Sequence, residues 1–302
     1  MQEFLHLFHY DFVQNAYLAG TLVAIIAAVI GYFVVLRAQA FASEAFSDIG
    51  FAGAAGAAIL GIGSLFGMLF LSILAALGMG ALGERLRGRD IEVGMVLSFA
   101  LGLGVLFLTI YSQSGTNSAE GVNVLFGSIL SVTRGDVLTT LYSGIVTLLL
   151  IALLFRPLLF ASIDPEVAQT RGVPVRLLSM VFLVLLAITT AEAVLVVGVL
   201  LVLALLIAPA ATALRLTHRP LTSLILAVAL GLFIIWGGLT LALVGPGRHL
   251  PVGFFIATLA ALCYFGSLPL KRLRAPRRAA AQPQPCKPHP CNEYSSMAGR
   301  GH

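Results

Sequence analysis

The stretch QAFASEAFSDIGFAGAAGAA, residues 39–58, sets Glu44 and Asp48 four residues apart inside an otherwise apolar segment. On a helix that spacing stacks both carboxylates on one face. Ser43 and Ser47 add hydroxyl oxygens beside them, and oxygen-rich donor sets suit divalent cations. Neither acid has Lys or Arg three or four residues away in either direction, so no ion pair within the helix can neutralise it. A charge at the centre of a bilayer costs about 2.5–3.5 kcal/mol on insertion scales, and two acids facing lipid would cost roughly twice that. Either they face a cavity and hold a cation, or they lie close to the inner interface. The second reading stays open because Arg37 is only seven residues before Glu44, about 10 Å along a helix.

Other residues could do chemistry on their own account. Glu192 follows ITTA and precedes AVLVVGVLLVLALLIA, which places it at the start of a helix near an outer turn. There it is either a metal ligand at a gate or a solvated acid that the helix dipole favours. His6, His9 and Asp11 precede the first apolar run, and His249 lies in GPGRHLP. Each could touch metal or simply sit at an interface. In the tail, CKPHPC brings Cys286, His289 and Cys291 close together, enough for a weak zinc or copper contact but short of a four-ligand site.

Composition identifies the elements that must position these groups. The chain is 59% hydrophobic and 10% charged, with a mean hydropathy of +1.00, whereas soluble domains carry about a quarter charged residues. It reads as an integral membrane protein of the all-α class. With about 20 residues per span, the apolar segments are 15–36, 39–60, 64–83, 93–112, 137–156, 175–190, 192–210, 221–244 and 251–268. They describe a polytopic bundle of about nine transmembrane helices. The count could also be eight or ten, because VNVLFGSILSVT, 122–133, is only about half a span and could be re-entrant or a lateral helix. Residues 1–270 form the membrane domain. Residues 271–302, rich in Pro, Ala and Arg, read as a disordered basic tail whose KRLRAPRR run meets anionic lipid. The opening MQEFLHLFHYDF lacks the basic end of a secretory signal, so the first apolar run is expected to remain as a span.

Arg37, the group Arg85, Arg87 and Arg89, the pair Arg171 and Arg176, the pair Arg215 and Arg219, and the Lys271-Arg272 tail fall on alternate loops. The positive-inside rule then puts the C-terminus in the cytoplasm. Seven of the eighteen basic residues lie between Lys271 and Arg300, which makes the net charge of +5 a property of the tail and gives no recognition surface for nucleic acid. The three cysteines imply no disulfide framework. The loops are too short for a receptor domain, and no G-x-x-x-x-G-K-[ST] motif occurs. If ATP drives the chain, the motor is another polypeptide. Pro209 in IAPAATALRLTHRP is expected to end or kink its span, with AATALRLTH forming a short helix along the inner face that exposes Arg215, His218 and Arg219. Gly50, Gly53, Ala54, Gly56, Ala57, Gly61 and Gly63 form a small-residue band that lets helices approach closely.

These motifs together resemble the ABC-3 family of bacterial metal-transport permeases. GYFVVLRAQAFASEAFSDIGFAGAAGA is similar to its G-x-x-V-L-R segment with a following acid, and VLFGSIL resembles L-F-G-S-I-L. VVGVLLVLALLIAPAATALRL is similar to V-V-G-x-L-L-V-x-A-L-L-I-x-P-A-A-T-A, and the loop with Ala168 and Gly172 has its counterpart too. The similarity runs in order from about 12 to 270. It implies a homodimeric permease subunit of the bacterial inner membrane that is not itself an enzyme. Its partners would be a cytoplasmic ABC ATPase, an extracytoplasmic metal-binding protein, a second copy of itself and membrane lipid. No cofactor would be permanently bound, and the cargo would be zinc, manganese or iron. The family's acid or His falls on Glu44, and its second position, usually His, falls on Asp48. Replacing imidazole by a carboxylate shifts preference toward manganese or iron. Pro209, Ala210, Ala211, Thr212, Arg215 and Arg219 would meet the ATPase. The rival class is a secondary transporter that uses Glu44 or Asp48 as a proton relay. An intramembrane enzyme is disfavoured because the spans contain no histidine.

Overall fold

The computed structural model describes residues 10–82, 90–113, 127, 129, 132–217, 219–244 and 251–274. Ten helices follow one another: α1 Asp11–Leu36, α2 Ala40–Ile59, α3 Ser64–Leu82, α4 Asp90–Gln113, α5 Arg134–Ile163, α6 Pro165–Thr170, α7 Val175–Val197, α8 Val199–Leu216, α9 Pro220–Val244 and α10 Val252–Arg274. No strand occurs among the described residues. Nine of these helices are long, and they take up the nine apolar segments in order. Eight are long and apolar enough to cross a membrane by length and composition. The ninth is α2, whose 20 residues contain Glu44 and Asp48.

Local chemistry explains several boundaries. A capping box starts α5: the Thr133 hydroxyl accepts from the Asp136 amide while the Asp136 carboxylate accepts from the Thr133 amide. Asp164 caps α6 by accepting from the Val167 amide at 3.1 Å, and Pro165 takes the first helical position. Gly198, with φ +95, separates α7 from α8, a conformation that L side chains rarely adopt.

Four boundaries differ from those expected. The break between the seventh and eighth long helices comes at Gly198 and not near residue 190, because the run has no helix breaker until that glycine. α5 continues past residue 156 to Ile163: Pro157 lies inside it, and the stop comes from the Asp164-Pro165 cap that starts α6. α10 runs on to Arg274, so the first four residues of the basic tail extend the last helix. Pro209 neither ends a helix nor starts a new one, since α8 runs through it to Leu216.

α1 and α7 form the centre of the bundle. In their most apolar windows 67% and 72% of residues are buried, against 11% for α4. Phe33 of α1 packs edge-on against Phe155 of α5 at 5.6 Å and Phe182 of α7 at 6.2 Å between ring centroids. Backbones touch where glycine permits it. A Cβ placed on Gly31 would lie 1.9 Å from the Leu206 carbonyl oxygen of α8, and one on Gly53 would lie 2.4 Å from the Gly67 carbonyl oxygen of α3. Without a hydrophobic force between helices in lipid, such close contact is what holds them together.

Side-chain contacts fix which ends lie together. At one end the Arg37 Nε donates to Ser162 Oγ at 2.8 Å and its Nη1 to Ser179 Oγ at 3.4 Å, with the guanidinium 5.0 Å from the Phe182 ring centroid. That joins the end of α1 to the end of α5 and the start of α7. At the opposite end Arg134 pairs with Asp11 at 2.7 Å, and Asn15 donates to the Val132 carbonyl at 3.5 Å. The ion pair is largely exposed and contributes about 0–1 kcal/mol. Arg85, Arg87 and Arg89, the 122–126 part of the re-entrant candidate, and the residues beyond 274 lie outside the described residues.

The end that holds Arg37, Arg171 and Arg176 is the one expected in the cytoplasm. In a cysteine-free background, a cysteine at the exposed turn position Ile62 should react with an impermeant maleimide in intact cells. One at the exposed Thr170 should react only after permeabilisation. Equal labelling of both in intact cells would break this topology.

Candidate functional site

The acid-bearing helix α2 packs chiefly against α3 and α4, then against α7 and α8. Asp48 is 2% exposed and Glu44 is half-buried. Glu44 Oε2 and Asp48 Oδ2 are both buried and lack a hydrogen-bond partner. Buried polar atoms usually find partners, so two carboxylate oxygens without one on the same helical face mark this pair as a candidate site. The serines beside them are already engaged as donors: Ser43 Oγ donates to the Ala40 carbonyl at 2.6 Å and Ser47 Oγ to the Val199 carbonyl at 3.4 Å. Their hydroxyl hydrogens are therefore directed to backbone, away from the carboxylates.

Among the described residues no three His, Cys, Asp or Glu side chains converge. Glu44, Asp48 and Glu192 therefore do not form one cluster. Two carboxylates underfill the shell of six to eight oxygens that a hard divalent cation such as calcium takes. Such a pair can neutralise a dication without caging it, which suits a passing ion more than a resident one.

Glu192 is not at a helix start. It sits in α7, six residues before Gly198, and is 4% exposed. Ser143 Oγ of α5 donates to Glu192 Oε1, while Oε2 is buried and lacks a partner. The solvated helix-start reading is thus corrected: the apolar run continues as helix on both sides of the acid and carries it into the packed α5–α7 interface. Three residues earlier on the same helix, Thr189 Oγ1 is also buried without a partner.

The segment expected to meet a motor forms the last two turns of α8. Pro209, Ala210 and Thr212 are buried there and Ala211 is half-buried. Pro209 lacks an amide to donate, yet α8 continues because α1 and α10 pack tightly along it. Arg215 Nη2 donates to the Tyr264 hydroxyl of α10 at 2.7 Å, with its guanidinium 4.6 Å from that ring's centroid. Arg219 is exposed just ahead of α9. The separate inner-face helix is therefore replaced by a helix end clamped to α10.

His6, His9, His218, His249, Cys286, His289 and Cys291 lie outside the described residues. The sequence reading missed Ser143, Tyr264 and the hub at Arg37. Ser143 and Tyr264 lie far along the chain from their partners and carry no motif. Arg37 was visible as a charge ending an apolar run, but its serine partners were not.

Over residues 9–271 the chain matches the ABC 3 transport family. It is 34% identical over 266 residues to the manganese transport system membrane protein MntC of Halalkalibacterium halodurans, covering 87% of this chain and 90% of that protein. It is 32% identical over 256 residues to the manganese import system permease protein ScaB of Streptococcus parasanguinis, with 84% and 89% covered. Among solved structures, it resembles a chain of PsaBC from Streptococcus pneumoniae in complex with Fab. That similarity has a TM-score of 0.79 and 29% identity, and covers 90% of this chain and 97% of the other.

The Ser143–Glu192 contact yields a stability prediction. Ser143→Ala would leave both carboxylate oxygens of Glu192 without a donor, and is expected to destabilise the bundle by about 1–3 kcal/mol. Glu192→Gln keeps an oxygen acceptor for Ser143 and should unfold at or above the wild-type temperature. Thermal unfolding of the purified variants checks this, and an unchanged Tm for Ser143→Ala contradicts it.

Proposed function

Because this chain belongs to the ABC 3 transport family, we propose that it is the membrane subunit of an ATP-driven importer of divalent transition metal, with manganese as the favoured cargo. The observation that carries this reading is the pair Glu44 and Asp48, whose buried oxygens lack partners within the chain. A dication passing α2 would satisfy both and cancel their mutual repulsion. Two carboxylates are hard donors of the type that suits manganese, whereas imidazole suits zinc, so the pair shifts selectivity toward manganese by ligand type and not by raw affinity. Relatives named for manganese transport agree with that direction.

The remaining assignments follow from what the chain lacks and what it exposes. It has no P-loop, so hydrolysis belongs to a partner ATPase. Pro209 to Arg219 offers the contact: a helix end locked to α10 through Arg215 and Tyr264 would pass a push from the motor into the bundle without bending. A separate extracytoplasmic protein would deliver the metal, and a second copy of the chain would complete the pathway, adding its own two acids to the shell. The basic end would face the cytoplasm, where the Lys and Arg excess favours it.

Uptake of manganese into vesicles that hold the permease, with and without its ATPase, tests this. Glu44→Gln and Asp48→Asn each keep side-chain shape and remove a charge, so both should insert and bind the ATPase normally but lose most uptake. Asp48→His should move preference from manganese toward zinc, since imidazole is the softer ligand. Normal uptake in both neutral variants would make the acids interfacial and overturn the assignment. Uptake without the ATPase would favour the proton-coupled alternative.

A further inference from the structure

A cavity of about 190 Å³ opens at the basic end of the bundle, where α1, α5, α8 and α9 meet. Its walls are apolar on one side, from Leu159, Ile163 and Leu214, and polar on the other, from Thr217, Arg219 and Ser223. The volume is below the roughly 300–1,000 Å³ of sites that enclose a drug-sized molecule whole. Ile163 in the wall is 70% exposed and Arg219, at the start of α9, is exposed too, so the cavity opens to the surface of the bundle.

Three features of the polar wall select an anion. Ser223 is 1% exposed, and its hydroxyl is buried with no partner. Arg219 is exposed and makes no ion pair among the described residues. The wall also forms the N-terminus of α9, a 25-residue helix that begins with Pro220, where the first amides have no partner within the helix and the dipole is positive. No wall residue is acidic.

A fourth feature points to the source of the anion. Arg156 is exposed on α5, three residues before Leu159 and seven before Ile163, and therefore on the same helical face. It lies about 10 Å along the helix from Ile163. A guanidinium at that depth on a lipid-facing side snorkels toward headgroup phosphates, and basic pockets between transmembrane helices on the cytoplasmic side are suited to lipid headgroups.

We propose that this cavity is a binding site for an anionic phospholipid, with its headgroup phosphate held by Arg219, the Ser223 hydroxyl and the start of α9, and an acyl chain lying along Leu159 and Ile163. A lipid seated there would bridge the ends of four helices and share Leu214, Thr217 and Arg219 with the segment assigned to the ATPase. The site does not depend on which metal is carried, or on whether the chain carries metal at all.

Native mass spectrometry of the purified full chain, titrated with phosphatidylglycerol or phosphatidylethanolamine, tests the site. Phosphatidylglycerol should be retained preferentially. Arg219→Gln should weaken its retention about fivefold, the effect of one basic group near a lipid surface, and Arg219→Lys should restore part of it. Ser223→Leu, which fills the cavity, should also reduce retention. Should that variant misfold, the comparison of Gln with Lys at position 219 decides. Inorganic phosphate should not displace the lipid. Equal retention of the two lipids, or no effect of Arg219→Gln, overturns the proposal. Displacement by inorganic phosphate overturns it in favour of a free-anion site. If Ser223→Leu abolishes ATPase co-purification while lipid retention is unchanged, the cavity belongs to the motor.

Discussion

A carboxylate carried into a lipid bilayer must find a partner, and much of this molecule is arranged around where such partners are found. Asp11 meets Arg134 at the exposed end of the bundle, and Glu192 takes a hydrogen bond from Ser143. Among the described residues, only at Glu44 and Asp48 are two acids placed side by side on one turn-to-turn face with buried oxygens left over. The basic side chains face the same constraint. Arg37 and Arg215 are spread over hydroxyls and aromatic faces. Among the described residues no ion pair joins a Lys or Arg to Glu44 or Asp48.

That separation depends on helices that cannot slide. The α1–α8 contact at Gly31 and Leu206 and the α2–α3 contact at Gly53 and Gly67 bring backbones into direct touch. α2 is thereby held against α3, while α1 is held against the helix that ends in the proposed motor contact. A push on the α8 end at Arg215 would reach α1 through Gly31, and α2 through the Ser47 hydroxyl on the Val199 carbonyl. The route from Arg215 to α2 runs nearly the whole length of α8, about 24 Å, and is made largely of backbone.

Much of the fold could be read from the sequence because bilayer thickness sets a ruler. Nine apolar segments became nine long helices, and Arg37 and Arg219 lie at one end of the bundle while Asp11 lies at the other. The misplaced boundaries were all at prolines or near Glu192, where residue type argued for a break. Pro157 and Pro209 lie inside helices because neighbouring helices hold them in line, a tertiary effect that no local pattern reveals. At Glu192 a charge was read as a helix start, whereas the actual break waited for Gly198, where the backbone needs a positive φ. The α2 acids were legible because their spacing and isolation are both local facts. The Ser143 donor to Glu192 was not, since it comes from another helix 49 residues away.

Equilibrium binding of Mn²⁺ to the purified permease, read as the loss of the free-ion electron paramagnetic resonance signal, tests the central claim most directly. It requires neither ATPase nor transport. Wild-type protein and Glu192→Gln should both take up the ion, and the double variant Glu44→Gln with Asp48→Asn should leave the signal of free Mn²⁺ undiminished. Binding by the double variant equal to that of wild type would contradict the account.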